Sequence, residues 1–278
     1  MKIIFLDADG TLFDHSGLIP HSTKEAIALA QAKGHKVCLC TGRQRCEIFG
    51  ELLKIPFDGI VCGSGATIYT SQKDLLDIYF DSKQINELLA FIKTNNIPVL
   101  LESSSTIFVN EIAKKRLVEL EKQYCSHLPE KEKIKNTVYV LCHQSIVLSY
   151  EELSKQNINK VTFIESHLSY QQIENEFKDN YDLVPATFAP LGSQSGEISN
   201  KAVTKGTGMK TLIDYFKLTK NDVISIGDGF NDLPMFDQSH ISIAMGNAPQ
   251  EVKEYCDDVT TSLLNDGIYN AFKKYELI

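Results

Sequence analysis

Short apolar runs alternate with longer amphipathic segments at both ends of this 278-residue chain. Runs of four or five hydrophobic residues predict buried strands, and apolar residues spaced three or four apart predict helices. In the first part of the chain this pattern predicts strands at 3–6, 37–40 and 59–62, with helices at 22–34 and 44–53. A strand–helix–strand order of this kind is typical of a parallel sheet with crossover helices.

The pattern changes near residue 77. Strands are predicted at 77–80, 99–101, 106–109, 138–141, 160–164 and 181–187, with helices at 84–94, 112–124 and 170–177 and a solvated loop or helix face at 131–135. From residue 201 the first pattern returns, with strands at 222–226 and 241–244 and helices at 202–216, 231–236, 249–255 and 267–275. The prediction is a Rossmann-like α/β core of residues 1–80 and 188–278, interrupted by an inserted α+β unit of residues 81–187.

Composition and charge narrow the function classes. Hydrophobic content of 43% and charged content of 23% are ordinary for a soluble globular protein. A net charge of −8 gives no basic surplus for a nucleic-acid partner. No apolar stretch approaches the roughly 20 residues that span a bilayer, and the first residues do not resemble a secretory signal. Seven cysteines without Cys-x-x-Cys spacing fit a reducing cytoplasm.

Two carboxylates end the first predicted strand. Asp7 and Asp9 follow the apolar residues 3–6 and are followed by Gly10 and Thr11. Side chains alternate along a strand, so the two aspartates share one side if the backbone stays extended. Like charges this close repel each other, and a fold tolerates them when a cation or a shared proton lies between them. The end of a strand in an α/β sheet is a usual place for a ligand, although Asp and Gly are also ordinary turn residues.

Two further segments suggest phosphate binding. Thr41 and Gly42 follow the second predicted strand, where a hydroxyl and a helix N-terminus can both donate to an anion, although a simple helix cap has the same residues. Lys205 lies near a predicted helix start, where a cation is electrostatically unfavourable. This placement favours an anchor for phosphate over a solvated side chain only if other residues support it.

The segment 226–232 repeats the pattern of the first strand, because an apolar strand again ends in acids placed between glycines. Asp228, Asn231 and Asp232 bring three oxygen-bearing side chains within five residues. Such a set suits a hard cation such as Mg²⁺. The alternative is a turn whose side chains cap the following helix.

Taken together, these segments resemble the haloacid dehalogenase superfamily of phosphotransferases, and within it the Cof-type phosphatases with a large α/β cap of type IIB. Residues 7–11 match the family's Asp-x-Asp-Gly-Thr motif, and residues 227–232 match its fourth motif. Thr41 matches the second motif and Lys205 the third. The inserted unit lies between the second and third motifs, where this subgroup carries its cap, so the resemblance covers almost the whole chain.

The resemblance implies a Mg²⁺-dependent phosphatase that forms an aspartyl-phosphate. Asp7 would attack phosphorus, and Asp9 would protonate the leaving oxygen and then activate water. Mg²⁺ would be bound by the carboxylates of Asp7 and Asp228 and by the backbone carbonyl of Asp9. The groups implied to hold phosphate are Thr41, Gly42, Lys205 and Asn231. Asp232 is implied to support the metal and to orient the lysine.

The substrate implied is a small phosphorylated metabolite such as a sugar phosphate, selected by the cap of a cytoplasmic monomer or homodimer without a nucleic-acid or membrane partner. Two alternatives stay open: a sugar phosphomutase of the same superfamily, and a non-catalytic phosphometabolite-binding protein. One position departs from many relatives, because Ser64 stands where they have Asn. Its shorter side chain leaves a contact with substrate open.

Overall fold

The computed structural model describes residues 1–13, 17–134, 136–186, 188–201 and 203–278. The chain forms two compact units, one of residues 1–77 and 202–278 and the other of residues 78–201. The boundaries between the units lie after residue 77 and before residue 202, whereas the sequence predicted them after 80 and before 188. The second one moves because residues 196–200 form a strand, missed in the sequence, that pairs with strands 160–163 and 181–185. Residues 135 and 187, at the ends of a predicted loop and strand, and residue 202, a predicted helix start, lie outside the described residues.

The first unit contains a sheet that has eight strands within the described residues. Labelled in chain order, they are β1 (Ile3–Leu6), β2 (Lys36–Cys40), β3 (Gly59–Cys62), β4 (Thr67–Tyr69), β5 (Asp74–Asp77), β12 (Val223–Gly227), β13 (Ile241–Ala244) and β14 (Asp258–Val259). Their order in the sheet is β14-β13-β12-β1-β2-β3-β4-β5. The strands from β14 to β3 are parallel, whereas β4 and β5 pair antiparallel.

The helices of this unit cover both faces of the parallel strands. They are α1 (His21–Ala32), α8 (Lys205–Tyr215), α9 (Leu233–Asp237), α10 (Gln250–Tyr255) and α11 (Gly267–Lys274). The helix predicted at 44–53 is wrong: this segment forms two 3₁₀ turns, Arg45–Glu47 and Leu52–Lys54. Gly50 between them has a φ of +64°, which a right-handed helix cannot contain.

Strand β1 is central to the sheet because it pairs with β12 on one side and β2 on the other. Its four residues are buried on both faces: Ile4 and Leu6 pack into one apolar cluster, and Ile3 and Phe5 pack into another. This explains the uninterrupted apolar run in the sequence. Parallel pairing also brings the carboxyl ends of β1, β2 and β12 to one edge of the sheet.

The second unit contains a sheet with the strand order β10-β11-β9-β6-β7-β8 among the described residues. Its strands are β6 (Val99–Glu102), β7 (Ile107–Val109), β8 (Ile146–Val147), β9 (Lys160–Phe163), β10 (Tyr181–Pro185) and β11 (Gly196–Asn200). Its helices are α2 (Ser82–Thr94), α3 (Glu111–Cys125), α4 (Glu130–Lys133), α5 (Thr137–Gln144), α6 (Tyr150–Leu153) and α7 (Tyr170–Phe177). Apart from the parallel pair β7–β8, neighbouring strands are antiparallel, as in an α+β unit.

The strand predicted at 138–141 is wrong, because these residues belong to α5. The Val-Tyr-Val run imitates a strand, but Asn136 begins a helix there. Its Oδ1 accepts hydrogen bonds from the backbone N–H of Val138 at 2.9 Å and of Tyr139 at 3.4 Å. Tertiary packing of the helix on α3 therefore overrides the local strand preference.

The predicted fold class, an α/β parallel-sheet core with an inserted α+β unit, is confirmed. Among the helices in the described ranges, none combines the length and apolar character required to cross a membrane.

Candidate active site

A buried lysine joins two aspartates at the carboxyl edge of the parallel sheet. Asp7 follows β1, and its N–H donates to the carbonyl of Ile226 in the neighbouring strand at 3.0 Å. The Lys205 Nζ lies 2.5 Å from Asp7 Oδ1 and 2.5 Å from Asp232 Oδ1. These three residues come from chain segments as far as 225 positions apart in numbering, yet all are at most 5% exposed.

Lys205 is the first residue of α8, and Thr204 caps the helix by accepting the N–H of Thr207 at 3.2 Å. A cation at this end opposes the helix dipole. Burial acts to lower the pKa of the ammonium, but the charges of Asp232 and Asp7 outweigh it and raise the pKa above its usual value. Lys205 is therefore a permanent positive charge at neutral pH.

Asp232 organises the loop after β12. Its Oδ2 accepts the backbone N–H groups of Asp228 and Gly229, each at 3.0 Å, while Oδ1 accepts from Lys205. Both oxygens are thus engaged by the protein itself. This arrangement fits a residue that orients the lysine and the loop.

Asp228 projects toward the turn that follows β1. Thr11 Oγ1 donates to Asp228 Oδ1 at 2.9 Å. Gly10 has a φ of +88°, and a Cβ at this position would lie 2.1 Å from Asp228 Oδ2, so any side chain here would displace the carboxylate. Burial raises the pKa of Asp228 to about 6, and the nearby Asp232 charge acts in the same direction.

The carboxylates of Asp7, Asp228 and Asp232 meet the charge requirements of a divalent cation. Their oxygens lie within 4.8 Å of one another, with the single positive charge of Lys205 among them. Burial, and after it the charge of Asp232, holds the pKa of Asp7 well above its usual value. Because a cation would relieve this excess of negative charge, and oxygen atoms are the ligands Mg²⁺ prefers, the donor set fits Mg²⁺.

Asp9 is bound by a residue to which the sequence analysis assigned no role. Arg43 donates two hydrogen bonds to its carboxylate, from Nε at 2.8 Å and from Nη2 at 2.7 Å, although the Asp9 side chain is 56% exposed. The guanidinium also lies near the rings of Phe13 and Phe49, 5.0 and 5.7 Å from their centroids. The available signal was position: Arg43 follows Gly42 at the end of the strand next to that of Asp9.

Thr41 lies at the end of β2 and is 1% exposed. Its Oγ1 accepts the N–H of Arg43 at 3.1 Å, so the hydroxyl hydrogen can point elsewhere. The N–H of Ser64 donates to the Thr41 carbonyl at 3.1 Å, and Ser64 itself has a φ of +55°. The helix N-terminus expected beside Thr41 and Gly42 is replaced by a 3₁₀ turn.

Asn231 lies in the 3₁₀ turn Phe230–Asp232, with Oδ1 close to Gly229. The residue that contacts Lys205 is Asp232. The phosphate-binding role expected of Asn231 stays a prediction.

Asn247 was missed in the sequence analysis. Its Nδ2 donates to the carbonyl of Gly10 at 2.9 Å and lies 3.4 Å from Asp228 Oδ2, while its Oδ1 accepts the N–H of Leu263 at 3.0 Å. This side chain links the loops after β1, β12 and β14. The signal was again position, since Asn247 follows the carboxyl end of β13 at the same edge of the sheet.

Comparisons with known proteins agree with this arrangement. A family model described as haloacid dehalogenase-like hydrolase matches residues 4–272. Phosphatase YwpJ of Bacillus subtilis (strain 168) is 24% identical over 98% of this chain and 99% of its own length. The 5-amino-6-(5-phospho-D-ribitylamino)uracil phosphatase YcsE of the same organism is 23% identical over 100% of this chain and 96% of its own.

The structure of BT4131, described as a subclass IIB sugar phosphatase of the HAD superfamily, aligns with a TM-score of 0.80 at 24% identity and covers 100% of both chains. This likeness shows the shared fold. The family match spans the core strands and the loops that carry the lysine and the aspartates. This match confirms the prediction that the chain is a hydrolase. The relatives named as phosphatases support phosphatase activity. The chain therefore belongs to the haloacid dehalogenase-like hydrolases.

Proposed function

We propose that this protein is a Mg²⁺-dependent phosphatase of small phosphorylated metabolites that works through an aspartyl-phosphate on Asp7. The observation that carries the proposal is the Lys205 ammonium, held at 2.5 Å from both Asp7 and Asp232 at the end of the central strand. A permanent cation beside a carboxylate nucleophile is what transfer of a phosphoryl dianion requires.

Asp7 is the proposed nucleophile. A carboxylate oxygen forms a bond to phosphorus while the bond between phosphorus and the ester oxygen breaks. Rigid placement supports this role, because Asp7 is fixed by its backbone bond to β12 and by the lysine. The phosphoryl group is then carried by Asp7 until water attacks phosphorus and releases inorganic phosphate.

Asp9 is the proposed acid and base. It gives a proton to the departing ester oxygen and then takes a proton from the attacking water. The paired hydrogen bonds from Arg43 hold both carboxyl oxygens of Asp9. One of these oxygens has to leave Arg43 to reach the ester oxygen, and the half-exposed position of the side chain allows this movement.

The remaining groups supply positive charge and hydrogen bonds to phosphate. The proposed phosphate donors are the hydroxyl of Thr41, the N–H of Gly42, the ammonium of Lys205 and the side chain of Asn231. Mg²⁺ would be held by the carboxylates of Asp7 and Asp228 and by the Asp9 carbonyl, and when bound it would offset the negative charge of phosphate and carboxylates. Asp232 would keep Lys205 and the Asp228 loop in place.

The proposed substrates are phosphate monoesters of small polar metabolites, with sugar phosphates first. Support comes from relatives, since BT4131 is described as a sugar phosphatase and YcsE acts on a phosphoribityl compound according to its name. The proposed form is a cytoplasmic monomer or homodimer whose second unit, residues 78–201, selects the substrate.

A panel of phosphate monoesters tests the reaction. Wild-type protein with Mg²⁺ should release inorganic phosphate, and EDTA should abolish the release. We expect Asp7→Asn to be inactive, because an amide oxygen is a far weaker nucleophile than a carboxylate. Asp58→Asn, which removes a carboxylate that pairs with Lys36 in the same unit, is the matched control and should retain turnover.

Mass spectrometry of acid-quenched enzyme tests the intermediate. A phosphoryl group should be found on Asp7 and should accumulate in Asp9→Asn, because water then lacks its base. Turnover by pure Asp7→Asn would refute the covalent mechanism. Sugar phosphate isomers formed without free phosphate would establish the phosphomutase alternative, and tight binding without any conversion would establish the non-catalytic one.

A further inference from the structure

Three ligand-bearing side chains of different chemistry meet between α3 and α5 in the second unit. Glu121 lies on α3, and the adjacent residues Cys142 and His143 lie in the last turn of α5. One ligand atom from each, a carboxylate oxygen, the thiol sulfur and an imidazole nitrogen, falls within 4.8 Å of the other two. The distance between Glu121 Oε1 and His143 Nε2 is 2.9 Å.

The three groups differ in how far they are exposed to solvent. Cys142 is 3% exposed, whereas the side chains of Glu121 and His143 are 24% and 50% exposed. Tyr139, one turn before His143, stacks on the imidazole with ring centroids 4.1 Å apart. The histidine ring is therefore held in place although its side chain is half exposed.

We propose that Glu121, Cys142 and His143 form a binding site for Zn²⁺ or a similar transition-metal ion. Thiolate, imidazole and carboxylate are the usual protein ligands of zinc, and three of them leave one position for water. The soft sulfur ligand separates this site from the oxygen-only set proposed for Mg²⁺ in the first unit. The site is independent of the proposed phosphatase reaction.

Zinc would have to displace a proton from this cluster. Burial, and then the hydrogen bond with Glu121, raises the pKa of the Cys142 thiol to about 11. The hydrogen bond from His143 lowers the pKa of Glu121, which is therefore ionised at neutral pH. A zinc ion would replace the shared hydrogens of this cluster, and its binding would release the thiol proton.

A second cysteine nearby has another task. Cys125 lies one turn after Glu121 on α3, and its thiol donates a hydrogen bond to Asn136 Oδ1 at 3.2 Å. Asn136 in turn caps α5. The metal ligands thus join the far end of α5 to α3, whereas Cys125 joins its beginning. Zinc would add a second connection between two helices that already pack together.

Titration with Co²⁺ tests the site directly, because a bound thiolate gives a charge-transfer absorption band in the near ultraviolet. The experiment uses full-length, untagged protein with excess Mg²⁺ present to occupy the proposed magnesium site. We expect one equivalent of Co²⁺ to produce the band and one equivalent of Zn²⁺ to remove it. Cys142→Ser should abolish the band, and Glu121→Gln and His143→Ala should weaken Co²⁺ binding at least tenfold.

Two matched controls lie outside the cluster: Cys256→Ser, a partly buried cysteine of the first unit, and His127→Gln, an exposed histidine of the second. Both should keep the band. Saturating Zn²⁺ should also raise the Tm of wild type by roughly 5 °C and leave that of Cys142→Ser unchanged. No band in wild type, a band that survives Cys142→Ser, or one that is lost in Cys256→Ser would each overturn the proposal.

Discussion

Each unit of this protein buries a lysine between two carboxylates, and the two clusters occupy different positions in their sheets. In the first unit, Lys205 lies 2.5 Å from both Asp7 and Asp232 at the carboxyl ends of parallel strands. In the second, Lys160 lies 3.0 Å from Glu102 and 3.1 Å from Glu197. Both lysine side chains are at most 5% exposed.

The second cluster consists of residues within paired strands. Glu102 lies directly opposite Lys160 on β6, and Glu197 on the other neighbour, β11, lies opposite Thr162. Opposite charges across strands stabilise a sheet. The first cluster instead lies at the carboxyl ends of its strands and includes a further carboxylate, Asp228. A lysine buried between acids is therefore not enough to indicate catalysis. Lys205 is distinguished by its position at a strand end beside a third carboxylate.

The largest expected effect distinguishes the two lysines by activity. Lys205→Met should lower kcat for release of phosphate by at least roughly 10³-fold, because the phosphoryl group loses its nearest fixed cation. Steady-state kinetics with a saturating phosphate monoester measures the change. A kcat within threefold of wild type would show that Lys205 is as structural as we take Lys160 to be.

Lys160→Met is the matched variant in the second unit, and its main effect should be on stability. Removing the lysine leaves two carboxylates in the sheet without their cation, which costs about 3–5 kcal/mol in free energy of unfolding for a buried pair. Urea unfolding followed by circular dichroism measures it. We expect kcat to stay within about threefold of wild type, and a loss as large as that of Lys205→Met would remove the distinction.

The next largest expected effect is a pH-dependent loss of stability that comes from Asp228 in the first cluster. The pKa of Asp228 is raised to about 6 by burial, so its protonated form is favoured by folding. Its contribution to the stability of metal-free protein is complete below the unfolded pKa of about 3.9 and is lost as pH rises through about 6. In EDTA, this loss should amount to about 3 kcal/mol for wild type and be absent in Asp228→Asn.

Urea unfolding of both proteins at several pH values provides the test, and the difference between them cancels the titration of other groups. Saturating Mg²⁺ should remove most of the loss in wild type, because the cation favours the ionised carboxylate. Equal pH dependence in wild type and Asp228→Asn would contradict the assignment.

An exposed ion pair should give the smallest effect. Arg43→Lys removes the bidentate hydrogen bonding to Asp9 and keeps the positive charge. We therefore expect kcat to fall about tenfold while KM changes little. Because the Asp9 side chain is 56% exposed, stability should change by less than about 1 kcal/mol. A large loss of stability with normal kcat would mean that Arg43 supports the fold and not the proton transfer.

The sequence predicted five strands of the core sheet, β1, β2, β3, β12 and β13, and most of the proposed site, because their signals are local. Strands β4 and β14 were missed, and the strand expected at 77–80 lies at 74–77. Continuous apolar runs predicted β1, β2, β3 and β13 closely, and each acid motif follows such a run. Interpretations failed where a distant contact decides the structure. Residues 138–141 have strand propensity, yet the cap at Asn136 and packing on α3 make them helical.

Arg43 and Asn247 show what a single sequence lacks. Both contact residues far along the chain: Arg43 binds Asp9, and Asn247 binds the carbonyl of Gly10. Neither contact leaves a pattern in its own segment, since it depends on which loops the parallel sheet brings to one edge. The same holds for strand β11, whose partners β9 and β10 draw residues 196–200 into the second unit.

The position of β1 also has a consequence for how the chain is made. One neighbour, β2, leaves the ribosome soon after β1, but the other, β12, follows only after all of residues 78–201. The second unit is continuous and can fold during synthesis, whereas β1 must wait with one edge unpaired. The strand that precedes Asp7 therefore keeps one edge unpaired until residues 223–227 have been synthesised.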